Sequence, residues 1–140
     1  MNIPEDKVIE EFKYEAVKEY IENHKPGIVK EVDWTGSYLK TVSKMEQYHL
    51  LEQKLFEVIV NPQKPQLVMV SPDFSAHMGF LMVLDPSRSY KKDPGFTMGA
   101  YMYMGNLFGV PILMSPNSLD GLSMVLYDLS SDEVTGILVK

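Results

Sequence analysis

The three histidines of this chain are the first residues to consider for chemistry, because imidazole serves both metal binding and proton transfer. They are His24, His49 and His77, and they are widely separated. No two of them stand four residues apart, and the zinc-binding motif His-Glu-x-x-His does not occur. Cysteine is absent, which excludes thiolate ligands and a thiol nucleophile. The sequence therefore predicts no metal site, and each histidine is interpreted as a helix-end or helix-surface residue.

Serines and glycines could supply a nucleophile or a phosphate loop, but their spacing favours structural roles. No serine lies in Gly-x-Ser-x-Gly, the turn that exposes the nucleophile of α/β-hydrolases. Ser71 precedes Pro72 and is interpreted as a helix cap, and Ser115 is interpreted as the end of a strand. The glycines between residues 99 and 109 do not have the spacing of a phosphate-binding loop. We predict a protein that is not an enzyme, has no catalytic residues and binds no cofactor.

Composition and charge place the chain among single-domain globular proteins. Its 140 residues suffice for one buried core without a disulfide or a metal. The net charge is −6, and nine of the acidic residues fall within residues 1–33. The chain has one arginine, Arg88, whereas nucleic-acid binding depends on several basic contacts to phosphate. We predict no specific nucleic-acid partner, no signal peptide and no membrane span.

Hydrophobic periodicity predicts helices in the first part of the chain and strands in the last part. Apolar residues at three- and four-residue steps predict helices over Pro4–Glu22 and Lys44–Val60, and a third, short helix follows Ser71. Alternating or continuous apolar runs predict the strands Ile28–Val32, Gln66–Val70, Ala100–Met104, Val110–Ser115, Leu122–Asp128 and Val134–Val139.

Helices that precede strands in this way are typical of the α+β class. We predict a single domain over residues 1–140, in which N-terminal helices are followed by a mostly antiparallel sheet. Within it we distinguish an N-terminal helix or arm (1–27), a mixed α/β part (28–95) and a β-rich part (96–140).

The β-rich part is unusual because it carries little charge. From Gly95 onward there are four acidic residues and one basic residue, fewer than a solvent-exposed surface normally carries. This segment is either the core of the domain or a surface that other chains cover, and the sequence leaves both open. We predict contact residues in a polar loop and in an apolar strip beside it. They are Arg88, Lys91, Lys92 and Asp93 in the loop, and Tyr101, Tyr103, Leu107 and Phe108 in the strip.

The order of features in residues 51–140 resembles the C-terminal half of tailed-bacteriophage major capsid proteins, a fold shared with encapsulin shells. The segments that carry this resemblance are Leu51–Val60, Leu67–Pro72, Phe74–Leu84, Pro86–Gly95, Leu107–Ser115, Met124–Asp128 and Val134–Val139. The resemblance implies a reduced capsid-like fold, since the family's N-terminal arm and long spine helix are not all visible. It also implies a location in a virion or the host cytoplasm, and contacts with shell neighbours.

We therefore predict a non-enzymatic structural or assembly protein, a viral or prophage capsid-type or minor virion component that acts through protein–protein contacts. Two alternatives remain open. The acidic helix Pro4–Glu22 could bind and inhibit a host or viral enzyme. A pocket lined by Trp34, Tyr101 and Tyr103 could bind a small molecule or hold an unrecognised active site.

Overall fold

The computed structural model describes residues 14–34, 43–59, 66–84, 89–90, 101–128 and 133–140. Within these residues the chain forms three helices and seven strands. In chain order they are α1 (Tyr14–Asn23), β1 (Ile28–Val32), α2 (Lys44–Ile59), β2 (Gln66–Val70), α3 (Pro72–Leu84), β3 (Ser89–Tyr90), β4 (Met102–Leu107), β5 (Val110–Met114), β6 (Met124–Asp128) and β7 (Val134–Val139).

The seven described strands join one mixed sheet in the order β1-β7-β6-β2-β5-β4-β3. Two neighbouring pairs run parallel, β1 with β7 and β2 with β5. The other four pairs run antiparallel. A parallel pair needs a crossover connection, and α3 lies in the connection between β2 and β5. The α+β domain with a mostly antiparallel sheet, predicted from the sequence, is confirmed.

The central strand β2 is buried on both faces, and it divides the core into two clusters. Val68 and Val70 belong to a cluster beneath α2 and α3, which we call the α2–α3 cluster. Leu67 and Met69 belong to a cluster with Ile21 of α1, which we call the α1 cluster. Because successive side chains of a strand point to opposite faces, the two clusters lie on opposite sides of the sheet. The domain therefore has three layers, with α1 on one side of the sheet and α2 and α3 on the other.

Serine caps begin the two helices that cover one side of the sheet. Ser43 Oγ accepts a hydrogen bond from the Glu46 N–H at 3.2 Å before α2. Ser71 Oγ accepts one from the Phe74 N–H at 3.2 Å before α3. Each bond satisfies an N–H group that the first turn of a helix leaves unpaired. The predicted starts of both helices are confirmed.

The helix α1 is held on the opposite side of the sheet by an aromatic anchor. The Tyr20 hydroxyl donates a hydrogen bond to the carbonyl of Asp128 at 2.6 Å, and its ring meets that of Tyr127 edge to face at 6.1 Å. These contacts fix the helix over the end of β6. None of the three described helices is long and apolar enough to cross a membrane.

The structure places one strand and one turn differently from the sequence prediction. The strand predicted over Ala100–Met104 is shifted to β4, because Gly105, at φ 136°, belongs to a bulge inside the strand and not to a turn. The turn follows at Phe108 and Gly109, whose φ angles are 57° and 80°. Two residues at positive φ are typical of a tight hairpin. The segment predicted as a loop, 86–95, includes the short strand β3.

Candidate functional site

A small polar pocket of about 170 Å³ opens where β2 leads into α3. The start of α3 and the loop before β6 line it, with Ser71, Asp73, Phe74, His77, Ser118, Gly121, Leu122 and Ser123. The pocket lies at the carboxyl end of β2, beside the parallel strand β5, and α/β sheets commonly bind ligands at such an edge. Its volume is below the several hundred Å³ that are typical of small-molecule sites.

The serine hydroxyls at this edge of the sheet bond to backbone groups. Besides the cap formed by Ser71, Ser123 Oγ accepts a hydrogen bond from the Val139 N–H at 3.0 Å. Ser115 Oγ donates to the carbonyl of Asn117 at 2.8 Å. A serine nucleophile instead needs a base within hydrogen-bond reach that takes its proton. These bonds give the three serines structural roles at the ends of strands and at a helix start.

The imidazole of His77 is held in an aromatic cluster beside the pocket. His77 Nδ1 and the Tyr48 hydroxyl share a hydrogen bond of 2.6 Å. The rings of Trp34 and Phe74 each lie 5.3 Å from the imidazole, centroid to centroid. The Trp34 indole N–H in turn donates to the carbonyl of Gln47 at 2.6 Å. This network orients His77 as a bridge between α2 and α3.

Among the described residues, the largest shift in pKa belongs to a tyrosine on the α1 side of the sheet. Burial, with smaller contributions from the neighbouring Tyr101 and Tyr20, raises the pKa of Tyr127 to about 12. Burial also raises the pKa of Tyr101, and the nearby carboxylate of Glu22 adds to that shift. Both shifts move the loss of the hydroxyl proton to higher pH than in an exposed tyrosine. Within the described residues, no three histidine, aspartate or glutamate side chains form a group that could hold a metal ion.

The apolar strip predicted as a contact surface lies largely in the interior. Tyr103 is 5% exposed and Leu107 is 0% exposed, whereas Tyr101 and Phe108 are half-buried. Tyr103 packs in the α1 cluster, and Leu107 packs in the α2–α3 cluster. The prediction of a contact role is corrected for Tyr103 and Leu107, because each is packed inside a core cluster of the chain itself. Tyr103 and Leu107 are core residues, which is the other possibility that the low charge of this segment left open.

The other predicted sites have different outcomes. The polar contact residues beside the strip lie outside the described residues; they are Arg88, Lys91, Lys92 and Asp93. The alternative pocket of Trp34, Tyr101 and Tyr103 is corrected. Trp34 belongs to the α2–α3 cluster, and both tyrosines pack with the α1 cluster. These clusters lie on opposite sides of the sheet, so the three side chains do not line one pocket.

A surface that the sequence analysis missed is the outer face of α3, which we define as Ala76, Phe80 and Val83. Val83 is 80% exposed, Phe80 is 43% exposed, and Ala76 is exposed as well. Positions three and four residues apart share one stripe of a helix, so these side chains form a continuous apolar face. The Phe80 ring also stacks against the Tyr48 ring at 4.4 Å, which fixes its position on the surface.

One sequence signal could have revealed this surface. Asp73 is the one charged residue of α3, and the helix is apolar on all sides. A helix that lies on one side of a sheet can bury one stripe, here the stripe of Met78 and Leu81, and it must expose the other.

Comparison with protein-family models, with curated proteins and with solved structures finds no match to this chain. Its function must therefore be inferred from the geometry and chemistry of its own residues.

Proposed function

We propose that this protein is a non-enzymatic structural or assembly protein, and that the outer face of α3 is a surface through which it contacts other subunits. The observation that carries the proposal is the exposure of Phe80 and Val83 on a helix whose one charged residue, Asp73, lies in its first turn. Single exposed apolar residues are ordinary on protein surfaces. A contiguous apolar stripe on a regular element is typical of a surface that a partner covers.

The same helix also offers the rigidity that a contact surface needs. Its inward stripe is fully buried, with Met78 and Leu81 both 0% exposed. The hydrogen bond between His77 and Tyr48 ties α3 to α2. A partner would therefore meet a surface whose side chains are already positioned, which reduces the entropy lost on binding.

The class of assembly follows from the resemblance in residues 51–140. Major capsid and encapsulin subunits work by contact with their neighbours, and we propose a viral or prophage shell component as the particular role. The polar loop with Arg88, Lys91, Lys92 and Asp93 would add charged contacts to the apolar ones in such a shell.

The mass in solution tests this proposal. Light scattering across a concentration series, at low and high salt, should give a mass above the 16.0 kDa of one chain. The double variant Phe80→Glu/Val83→Glu should lose the larger species, because each added carboxylate would have to be desolvated in the contact. Val83→Glu alone should leave the urea unfolding curve close to that of the wild type, since Val83 is 80% exposed, whereas Phe80→Glu also loses the contact with the Tyr48 ring.

A matched control adds the same charge elsewhere. Gln53 and Asn117 are exposed polar residues away from the outer face of α3, and Gln53→Glu/Asn117→Glu should assemble as the wild type does. A mass of one chain under all conditions would contradict self-assembly. Normal assembly of the Phe80→Glu/Val83→Glu variant would show that α3 is not the contact surface.

A second function, binding to and inhibiting a partner enzyme, is favoured by the exposed carboxylates of Glu19 and Glu22 on α1. Ionic contacts of this kind weaken as salt screens them, whereas apolar contacts do not. A complex that dissociates as salt rises would therefore favour this alternative over assembly through α3.

A further inference from the structure

Among the described strands, β1 lies at one edge of the sheet. It pairs with β7 on one side, over the full length Ile28–Val32. In the part of the chain that the structure describes, no strand pairs with its other side. The opposite edge strand, β3, has two residues and offers little to a partner. A five-residue open edge presents a row of backbone donors and acceptors that only another extended strand can satisfy in full.

The backbone groups on this open edge can be assigned from the bonds at the end of β1. The Lys140 N–H donates to the carbonyl of Val32 at 2.9 Å, and the Trp34 N–H donates to the carbonyl of Lys140 at 2.8 Å. The backbone N–H and C=O groups of the even-numbered residues of β1 therefore point toward β7. Because the direction alternates along a strand, the N–H and C=O groups of Val29 and Glu31 face outward. Gly27 also donates to β7, from the bend that precedes the strand.

The first two side chains of β1 are exposed and apolar, although exposed edge strands usually carry charge. Ile28 is 63% exposed and Val29 is 54% exposed, and they point to opposite faces of the sheet. Edge strands are commonly protected by charged residues or proline. Here one lysine, Lys30, and one glutamate, Glu31, follow the two apolar residues. The first half of β1 is therefore the part that a partner strand would cover.

We propose that β1 pairs antiparallel with β1 of a second copy of this chain, about a two-fold axis at Val29. In such a pair, residues whose backbone groups point outward lie opposite each other. The two-fold axis must therefore pass through one residue of β1, where that residue meets its own copy. An axis at Lys30 would place two ammonium groups opposite each other, and an axis at Glu31 would oppose two carboxylates. Directly opposed like charges destabilise a strand pair. The axis at Val29 avoids both conflicts.

With the axis at Val29, the exposed apolar side chains also gain partners. Val29 faces Val29 of the second copy, and Ile28 faces the aliphatic stem of Lys30, which leaves the ammonium group in water. The two sheets would join into one continuous sheet across the axis. This inference rests on the proposed function in taking the protein to act by association, but it uses a different surface from the outer face of α3.

Disulfide trapping tests this register directly, and the chain suits it because it has no cysteine of its own. Opposed residues in a hydrogen-bonded antiparallel pair have Cα atoms about 5.5 Å apart. That distance lies within the range of a disulfide. Val29→Cys should therefore form a covalent dimer under mild oxidation at low protein concentration. A short edge pairing buries less area than a standard interface, so trapping is more sensitive than a mass measurement.

The matched control is Glu31→Cys, which is exposed on the same strand and has the same outward backbone direction. In the proposed register, the two Cα atoms at position 31 would lie about 14 Å apart, four strand residues from each other. This variant should give no dimer above the level of random collision. Equal cross-linking of the two variants, or none in either, would overturn the proposed pairing.

Proline substitution supplies a second, independent test. Val29→Pro removes an N–H that faces outward, so the sheet should keep its pairing with β7 and the dimer should be lost. Lys30→Pro removes an N–H that faces β7 and should destabilise the fold itself. A Val29→Pro variant that unfolds like the wild type and still dimerises would overturn the inference.

The two proposals fail in distinguishable ways. If Phe80→Glu/Val83→Glu abolishes the larger species while Val29→Cys does not cross-link, the pairing of β1 is wrong and the proposed function stands. If Val29→Cys cross-links in that same double variant, the β1 pair exists independently of the outer face of α3.

Discussion

The strand β4 and the helix α3 are both poor in charge, but the fold treats them differently. No residue of β4 is charged, and Asp73 is the one charged residue of α3. Tyr103 in β4 is nevertheless buried at 5% exposure, whereas Val83 in α3 is exposed at 80%. The strip predicted as a contact surface lies largely in the core, whereas α3, for which no contact role was predicted, carries the exposed apolar face.

The difference lies in how many sides of each element the chain covers. β4 has a strand on each side, β5 and β3, and its side chains enter core clusters on both faces of the sheet. α3 rests on the sheet along one stripe, and the described residues leave its other stripe open to solvent. Low charge therefore predicts that a segment is covered, but the topology decides whether the same chain or another molecule covers it.

The strongest test of this comparison is a charge placed on β4. Tyr103→Glu should lower the free energy of unfolding by more than about 4 kcal/mol, because it removes a buried ring and buries a carboxylate. Met102→Glu is the control on the same strand, since Met102 is 50% exposed, and it should cost less than about 1 kcal/mol. Urea denaturation followed by circular dichroism measures both. If Tyr103→Glu were as stable as the wild type but failed to assemble, β4 would be a contact surface after all.

A smaller effect should separate the two stripes of α3. Leu81 is 0% exposed, and Leu81→Ala should cost about 2–5 kcal/mol because it leaves a cavity in the α2–α3 cluster. Val83→Ala lies two residues further on the exposed stripe and should change the stability by less than about 0.5 kcal/mol. Thermal unfolding of dilute protein compares them. Similar losses for both variants would mean that the outer face of α3 is covered within the monomer.

The smallest effect concerns pH on the α1 side of the sheet. The pKa of Tyr127 is raised to about 12 in the folded state, above the usual value of 10. The unfolded chain therefore loses this proton first, and the folded state loses stability as the pH rises from 10 to 12. The loss should be about 3 kcal/mol, since each pKa unit corresponds to about 1.4 kcal/mol. Tyr127→Phe should show a flatter pH dependence than the wild type, and parallel curves would contradict the role of burial.

The sequence predicts the strands with clear boundaries very well. The bounds of β1, β2 and β7 agree with the predicted strands Ile28–Val32, Gln66–Val70 and Val134–Val139. Each is an apolar or alternating run between residues that favour turns, so local pattern suffices. β4 is displaced from the predicted strand Ala100–Met104 because a glycine within an apolar run can mark either a turn or a bulge, and Gly105 marks a bulge. The parallel pairing of β1 with β7 depends on contacts far apart in the chain, which no local pattern contains.

The candidate contact surface was harder to predict than the fold. Exposure of Phe80 depends on which stripe of α3 meets the sheet, and hence on the placement of two other elements. The burial of Leu107 depends likewise on β4 lying inside the sheet and not at its edge. Phe80 and Leu107 are both apolar, so residue type alone does not distinguish the exposed one from the buried one. The capsid-like role and the loop contact at Arg88 remain predictions.

The pairing of β1 with β7 also bears on how the chain is made. Ile28 pairs with Thr135, about a hundred residues later, so this contact closes a long loop and carries a large entropy cost. During synthesis on the ribosome, β1 is made long before β7 and has no pairing with β7 until that strand has been synthesised. A chain released before Val134 would keep an apolar strand without a neighbour, a typical starting point for aggregation. Within one chain, β1 can therefore gain its strand neighbour only after β7 has been synthesised.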